Sequence, residues 1–303
     1  MPIAIIFPGQ GTQEQGMGMP WRDHPAWAVV ERAEDAFGEP LAHLLLDAPA
    51  ETLARTREAQ LAVLLTSLVA WEAVRARVPD PVAFAGHSLG QVTALIASRA
   101  LALEDGVRFA ARRAELTQRA ADDHPGKMAA LLGATIDQAE DACTAAPDAC
   151  WIANDNAPGQ VVIAGTPDGV DAASARAKEI GVKRATPLNV GGAFHTPLMR
   201  DAAEALPAEL ASISFTAPDA PVVSNHDAVA YADADGWRAR LPEHVTVPVR
   251  WRTSMATMVA SGAASFLEIG HGSMLAGLAK RTAPDTEVRG VGTPEDVELL
   301  ELV

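Results

Sequence analysis

The stretch FAGHSLGQVT, residues 84–93, contains the pattern G-x-S-x-G, with Ser88 between Gly86 and Gly90. A short apolar run precedes it, opened by Pro81, and is typical of a buried parallel strand. In the residues that follow, apolar side chains recur at helical spacing. A strand, a glycine-flanked serine and a helix predict a nucleophile elbow, in which the serine oxygen is exposed on a strained turn.

The pattern alone is weak, because a serine that caps an ordinary strand-to-helix turn gives the same letters. The flanking strand and helix favour the elbow. Ser88 would also lie at a helix N-terminus, where free N–H groups and the positive end of the helix dipole can face an oxyanion. We therefore interpret Ser88 as a candidate nucleophile that needs a base.

The composition limits the class of protein. With 303 residues and 49% hydrophobic content, the chain is long enough for one large α/β domain or a large and a small one. A formal charge of −15 argues against nucleic acid and anionic membranes as partners. The uncharged stretch at residues 59–71 is shorter than a membrane span, so we expect a buried helix.

The N-terminal sequence and the cysteines both bear on where in the cell the protein is expected. MPIAIIFPGQG has neither the basic region nor the apolar length of a signal peptide, which predicts a cytoplasmic protein. Cys143 and Cys150 lack the spacing of a metal site or a disulfide framework. We expect two free thiols, the first on a helix and the second at the start of a strand.

Between residues 126 and 190 the pattern changes to short strands and helices in the order βαββαβ, which is that of a ferredoxin-like unit. Thr166 followed by Pro167 predicts the start of the second helix. We predict an α/β fold: an α/β-hydrolase-like core with a parallel sheet in residues 1–125 and 191–303, and an inserted ferredoxin-like subdomain at 126–190.

Histidine is the expected base, because a serine hydroxyl is a poor nucleophile at neutral pH without one. Among the eight histidines, several lie among polar or charged neighbours and are expected at the surface: His24, His43, His124 and His244. His87 is adjacent to Ser88, and neighbouring side chains on a turn point apart, so we expect it to order the elbow.

The two stronger candidates for the base are His195 and His271. His195 lies in a glycine-rich loop before Pro197, and His271 follows a predicted strand late in the chain. An ordinary α/β-hydrolase has its histidine late in the chain, which favours His271. Spacing alone leaves the choice open.

The order and spacing of several motifs resemble those of the malonyl-CoA:acyl carrier protein transacylases, over nearly the entire chain. The motifs are FPGQGTQ at 7–13, GHSLG at 86–90, VRFAARRAEL at 107–116, NDNAPGQVVIAG at 154–165, AFHTPLM at 193–199 and PVRW at 248–251. The resemblance implies that Ser88 is the nucleophile and His195 its base. It also implies that a backbone carbonyl at Arg250 orients His195, in place of a carboxylate.

The resemblance assigns the remaining site residues as well. The backbone N–H groups of Gln10 and Leu89 would bind the oxyanion. Arg113 would pair with the free carboxylate of malonate, for which a planar guanidinium offers two parallel donors; its ordinary alternative is a solvated helix arginine.

Three further residues are assigned to the substrate by the same resemblance. Gln60 and Asn156 would bind it, and Phe194 would crowd a branched acyl group and so favour malonyl.

Two positions depart from the family pattern. Gln91 stands where glutamate is common, which puts in doubt any hydrogen bond that relies on a carboxylate there. His271 stands where proline is common, and it either contacts the substrate or only caps its loop.

The implied reaction is a ping-pong transfer of malonyl from malonyl-CoA, through Ser88, to the phosphopantetheine thiol of holo acyl carrier protein, for fatty acid or polyketide synthesis. No metal or redox cofactor is expected, and we expect a monomer. Carrier proteins are acidic, so basic residues would form the docking face: Lys183, Arg184, Arg250, Arg252, Lys280 and Arg281.

Alternative functions remain at this point. The chain also resembles trans-acting polyketide synthase acyltransferases and the malonyl-transfer subunit of malonate decarboxylase. An esterase or thioesterase of the α/β-hydrolase type would use His271 and would need neither His195 nor Arg113.

Overall fold

The computed structural model describes residues 1–78 and 80–300, and two β-sheets with helices packed on them make up its framework. The strands are β1 Ile3–Phe7, β2 Ala83–Gly86, β3 Lys127–Leu132, β4 Cys150–Ala157, β5 Gln160–Gly165, β6 Arg184–Pro187, β7 Val222–Val223, β8 Ala230–Tyr231, β9 Ser265–Ile269 and β10 Glu287–Val291. The helices are α1 Ala28–Phe37, α2 Ala42–Leu46, α3 Ala50–Leu53, α4 Thr56–Val74, α5 Gly90–Ala97, α6 Leu103–Asp123, α7 Ile136–Cys143, α8 Pro167–Glu179, α9 Arg200–Leu210, α10 Trp237–Glu243, α11 Trp251–Ala260, α12 Met274–Thr282 and α13 Pro294–Leu299. Short 3-10 turns occur at Met19–Trp21, Pro25–Trp27, Arg75–Arg77 and Pro197–Met199.

The larger sheet has the strand order β10-β9-β1-β2-β7-β8 and is parallel except at the β7–β8 pair. Strands β1, β2 and β9 are buried along their whole length, as expected for a parallel sheet covered on both faces. Phe7 at the end of β1 pairs with Gly86 at the end of β2. The turn after β1, which carries Gln10, therefore lies beside the turn that carries Ser88.

Helix α4 is the central helix of the core, since every residue from 59 to 71 is buried. By length and composition the segment Thr56–Arg77 could cross a membrane, so the expectation that this helix is too short to span one was wrong. The predicted buried helix is confirmed, because 72% of its apolar window lies inside the protein.

The smaller sheet is antiparallel, with the strand order β4-β5-β3-β6, and α7 and α8 pack against each other and against it. Both helices begin as the sequence indicates: Thr166 caps α8 before Pro167, and Thr135 forms a capping box with Gln138 at α7. Side chains alternate along β3, so that Ala129 faces the helices and Ala130 faces the other side.

That other side packs against the loop which carries His195. Met128 and Ala130 of β3 share an apolar cluster with Ala193, and Phe194 packs against it. Gly126 has no room for a side chain, because a Cβ there would lie 2.5 Å from the Ala193 backbone nitrogen. The smaller sheet thus supports the candidate base.

The two cysteines are free thiols, as predicted. Cys143 is the last residue of α7 and Cys150 the first of β4, and their sulfur atoms lie 3.9 Å apart.

Four of the helices and strands in the described residues were not predicted: α2, α3, β8 and α10. The α10 helix starts after the left-handed Gly236 and contains Pro242, so the sequence lacks the regular apolar period that predicts a helix.

Candidate active site

Ser88 lies on the turn between β2 and α5, with a φ angle of +53°. This left-handed conformation is rare for a residue with a side chain, and it confirms the predicted elbow. Both flanking glycines are required by close packing: a Cβ on Gly86 would lie 1.8 Å from the Gly90 carbonyl oxygen, and one on Gly90 would lie 2.3 Å from that of Phe7.

His195 is the histidine next to the nucleophile. Its Nε2 lies 2.7 Å from Ser88 Oγ, and its side chain is buried. His271 instead lies at the surface, where its Nε2 is 3.0 Å from Glu14 Oε2. Of the two candidates that spacing left open, the structure places His195 within hydrogen-bond distance of Ser88 and places His271 against Glu14 instead.

A backbone carbonyl holds the other nitrogen of the His195 ring, but it is not the carbonyl of Arg250. Nδ1 lies 3.0 Å from the carbonyl oxygen of His244. Arg250 caps the start of α11, so its carbonyl accepts instead from the backbone N–H and the hydroxyl of Ser254, at 2.9 and 3.0 Å. With Nδ1–H donating to a carbonyl, Nε2 is left unprotonated and can accept the serine proton.

His244 was expected at the surface, and that expectation is wrong. It is 4% exposed, and its ring centroid lies 5.4 Å from that of His195. Its polar neighbours in sequence lie on the outer side of α10, so the sequence around His244 gives no sign that this end of the helix is buried.

Burial keeps the imidazole of His195 neutral. Desolvation by burial and, after it, the nearby charge of Arg113 lower the pKa of His195 to about 3. Burial also lowers the pKa of His244 well below its usual value. At neutral pH His195 is therefore in the form that accepts a proton.

Arg113, on α6, is a buried cation beside Ser88. Its Nη2 lies 3.3 Å from Ser88 Oγ, and its Nη1 donates to Gln60 Oε1 at 2.8 Å. In the parts of the chain that the structure describes, no carboxylate pairs with it. Desolvation lowers its pKa to about 10, so the guanidinium stays charged at neutral pH. The alternative of a solvated helix arginine is wrong.

Gln60, on α4, links this cation to the turn after β1. It accepts from Arg113 and donates through Nε2 to Gln10 Oε1 at 3.2 Å. Within residues 1–78 and 80–300 the backbone N–H groups of Gln10 and Leu89 have no hydrogen-bond partner. Two unpaired donors thus stand on the adjacent turns of β1 and β2.

Asn156 and Phe194 lie on either side of this centre. Asn156 Oδ1 is 2.8 Å from His87 Nε2, and the His87 ring packs edge-on against Trp251. Phe194 is partly buried and contacts the main core as well as the smaller sheet. Asn156 thus contacts the residue before Ser88, and Phe194 is the residue before His195.

Sequence reasoning missed Asn225, which follows β7 and is fully buried. Its Oδ1 accepts from the backbone N–H of Ser88 at 2.7 Å, and its own N–H donates to Gln91 Oε1 at 2.9 Å. Asparagine after a short strand is a common loop residue, so no local signal distinguishes it.

A cavity of about 350 Å³ reaches His195 beside the smaller sheet. Its walls come from α7, from β4 and from loops outside residues 126–190, including Cys143, Trp151, Pro197, Thr246 and Pro248. Over the described residues, no cluster of three or more histidine, cysteine or acidic side chains is arranged to hold a metal ion.

Comparison with known proteins gives a consistent result. The model of a family described as acyl transferase domain matches residues 4–295. The chain is 38% identical to malonyl CoA-acyl carrier protein transacylase of Bacillus subtilis (strain 168), covering 98% of this chain and 95% of that one. Identity to the protein of the same name from Escherichia coli (strain K12) is 36%, covering 96% of each chain.

Solved structures agree with the sequence relatives. An acyl carrier protein S-malonyltransferase from Vibrio cholerae superposes with a TM-score of 0.94 at 33% identity, covering 99% of this chain and 100% of that one. A malonyl-transacylase in complex with its type II polyketide synthase acyl carrier protein has a TM-score of 0.94 at 32% identity, covering 98% of each chain.

Proposed function

Because the chain belongs to the acyl transferase domain family, we propose that it transfers malonyl from malonyl-CoA to the phosphopantetheine thiol of an acyl carrier protein. It is an acyltransferase that supplies fatty acid or polyketide synthesis. The observation that carries the choice of acyl group is Arg113, a buried cation 3.3 Å from Ser88 Oγ that has no acidic partner among the described residues. A charge in that position calls for an anionic substrate group, such as the free carboxylate of malonyl.

In the first half-reaction, Ser88 Oγ attacks the thioester carbonyl of malonyl-CoA while His195 Nε2 takes the hydroxyl proton. The N–H groups of Gln10 and Leu89 stabilise the oxyanion of the tetrahedral intermediate. The carbon–sulfur bond then breaks, and His195 gives its proton to the departing coenzyme A sulfur. Malonyl remains as an ester on Ser88, with its carboxylate on Arg113.

In the second half-reaction, the phosphopantetheine thiol of the carrier protein attacks the ester carbonyl, and His195 accepts the thiol proton. Ser88 leaves as its hydroxyl by taking that proton back, so the enzyme is regenerated without a net change. The His244 carbonyl keeps the His195 ring in one tautomer throughout both steps. The chemistry requires no metal or redox cofactor.

The remaining assigned residues shape the site. Gln60 holds Arg113 and the Gln10 turn in a fixed relation. Phe194 precedes the base and would crowd a methyl branch on the acyl α-carbon, which disfavours branched groups by about 1–3 kcal/mol. Asn156 fixes the orientation of His87 through their hydrogen bond, and would act on the substrate by way of that ring. The cavity that reaches His195 would take the pantetheine arm.

The carrier protein would dock where basic residues converge at one end of the smaller sheet. Gln160, Leu132 and Arg184 are register partners on adjacent strands, so Arg184 and Gln160 are roughly 10 Å apart. Arg281 donates to Gln160 Oε1 and brings α12 to the same end. The other members of the proposed face are Lys183, Arg250, Arg252 and Lys280. Arg252 contributes least, because Asp155 pairs with it at 2.9 Å.

We further propose that the fold consists of a core and an inserted subdomain. The parallel sheet and elbow support an α/β-hydrolase-like core in residues 1–125 and 191–303. The βαββαβ order and the strand order β4-β5-β3-β6 support a ferredoxin-like subdomain at 126–190. We infer a monomeric cytoplasmic enzyme, since the large exposed apolar side chains lie scattered along the sequence.

The intact mass of the protein after brief exposure to malonyl-CoA tests the function. We expect a malonyl adduct that is absent from Ser88→Ala, is weaker with acetyl-CoA, and moves to holo acyl carrier protein in a chase. An adduct that discharges only to water would identify a hydrolase instead.

A further inference from the structure

Asn225 lies against the nucleophile elbow and is 0% exposed. Its side chain makes two short hydrogen bonds to elbow backbone. Ser88 N–H donates to Oδ1 at 2.7 Å, and Nδ2 donates to the Gly86 carbonyl at 2.7 Å. One asparagine amide therefore holds the peptide units on both sides of His87.

We propose that Asn225, held in turn by Gln91, is a positioning residue that keeps Ser88 in its left-handed conformation and aims its Oγ at His195. The inference deepens the proposed function and rests on it only for the identity of the acyl group.

The conformation of Ser88 needs such a support. A serine with a φ of +53° is strained, and strained residues persist only where their surroundings fix them. The elbow glycines remove steric clashes but make no bond to Ser88 itself. Two hydrogen bonds restrain its backbone: its N–H donates to Asn225 Oδ1 at 2.7 Å, and its carbonyl accepts from the Gln91 N–H at 3.1 Å.

Asn225 is itself fixed from two directions. Its backbone N–H donates to Gln91 Oε1 at 2.9 Å, which joins it to the first turn of α5. Its backbone carbonyl accepts from the N–H of Arg250 at 3.1 Å, at the start of α11. Helix α5, which follows Ser88, and helix α11, which begins after Arg250, are therefore both joined to the backbone of one buried residue.

The arrangement has a chemical consequence for the oxyanion. Because Ser88 N–H is already bonded to Asn225, it cannot serve the transition state. The next donor along the elbow is the unpaired N–H of Leu89, so Asn225 also selects which amide faces the substrate oxygen.

Gln91 explains why a departure from the family pattern is tolerated. Its oxygen is used by Asn225, whereas its buried Nε2 has no partner among the described residues. Only an acceptor is needed at this position, and both an amide and a carboxylate supply one.

The test compares Asn225→Ala, Gln91→Leu and Gln91→Glu with a matched control, Thr257→Val. Thr257 Oγ1 donates to the Ala228 carbonyl at 2.8 Å, so it anchors the same loop to α11 without contacting the elbow. For each variant we would measure thermal unfolding, the single-turnover rate of malonyl adduct formation, and the KM for malonyl-CoA.

We expect adduct formation to slow about 100-fold in Asn225→Ala, because a displaced nucleophile loses attack geometry. KM should change by less than about 3-fold, since Arg113 and Gln60 are untouched. Gln91→Leu should slow the step about 10-fold, and Gln91→Glu should be faster than Gln91→Leu because it retains the acceptor. Thr257→Val should lose stability and keep the wild-type rate.

A second readout separates this inference from the function. Phenylmethylsulfonyl fluoride sulfonylates a positioned serine: Oγ displaces fluoride, and His195 takes the proton. Slower labelling in Asn225→Ala and Gln91→Leu supports the positioning role even if the wild-type protein forms no malonyl adduct. Equal labelling and adduct rates in wild type and both variants, or an equal loss in Thr257→Val, would overturn it.

Discussion

Arg113 Nη2 lies 3.3 Å from Ser88 Oγ, so a buried cation and the nucleophile share one site. The cation has no carboxylate partner in the described chain, and burial alone accounts for its lowered pKa. Leaving a charge in this state is costly unless a ligand completes the pair. A substrate that Ser88 attacks would therefore be expected to carry an anionic group that pairs with Arg113.

Arg113→Ala should reduce kcat/KM for malonyl-CoA about 10- to 100-fold, because a hydrogen-bonded charge pair is lost. The kcat/KM of Arg113→Lys should lie between those of the wild type and Arg113→Ala, since an ammonium keeps the charge but not the paired donors. Activity with acetyl-CoA should not fall in parallel. The control is Arg112→Ala, on the same helix but at the surface, where it pairs with Glu115 and Glu209. Equal losses for both acyl groups would contradict the assignment.

His195→Ala should lower the rate of adduct formation by about 100- to 10,000-fold, the usual contribution of a general base. His271→Ala is the matched control, because that histidine pairs with Glu14 at the surface and should leave the rate unchanged. Stopped-flow or quenched mass measurements of the acyl-enzyme distinguish the two. The reverse ranking would restore the late-chain hydrolase arrangement.

The pH dependence of kcat/KM should lack an acid limb near 6.5. The base works when neutral, and burial lowers the pKa of His195 to about 3, so activity should stay flat as pH falls from about 8 to 5. In the malonyl complex the substrate carboxylate offsets the charge of Arg113, which is the second cause of the lowered pKa. The acid limb of kcat should therefore lie at higher pH than that of kcat/KM.

Acid should destabilise the fold through the same histidine. The folded pKa of His195, about 3, is below its unfolded value of 6.5, so the unfolded chain binds the proton first. Stability is complete above about pH 6.5 and falls as pH drops towards 3, by about 2 kcal/mol at pH 5. Urea unfolding at pH 7 and 5 measures this loss. A His195→Gln variant should lose less between the two pH values, and an identical loss would contradict the cause.

Charge reversal of Lys183 and Arg184 to glutamate should raise the apparent KM for the carrier protein and leave that for malonyl-CoA unchanged. The effect should weaken as salt is added, since exposed charges are screened. Arg119→Glu, on an exposed part of α6, serves as the control. Carrier kinetics that do not change in the double variant would show that docking occurs elsewhere.

Local sequence was sufficient where neighbouring residues decide the outcome. The glycines around Ser88 allow the close backbone approach that a turn between a buried strand and a helix needs, which is why the elbow was predicted correctly. Thr166 with Pro167, and Thr293 with Pro294, mark helix starts because a side-chain oxygen caps the first free N–H groups. The burial of α4 follows from its uncharged, apolar composition on all sides, whereas α6 buries one apolar face and exposes a polar one.

Contacts between residues far apart in sequence were decided by the tertiary structure. The resemblance pointed to His195, which the structure places 2.7 Å from Ser88 Oγ, but it named Arg250 for a carbonyl that belongs to His244, 49 residues from its partner. The bond between Ser88 and Asn225 spans 137 residues and had no local signal. Sequence determined which groups this protein could use for acyl transfer. Only the tertiary structure determined that the His244 carbonyl, the Asn225 amide and the Arg113 guanidinium surround them. A hydrogen bond requires a distance of about 3 Å between two atoms, and the order of residues along the chain does not give such distances.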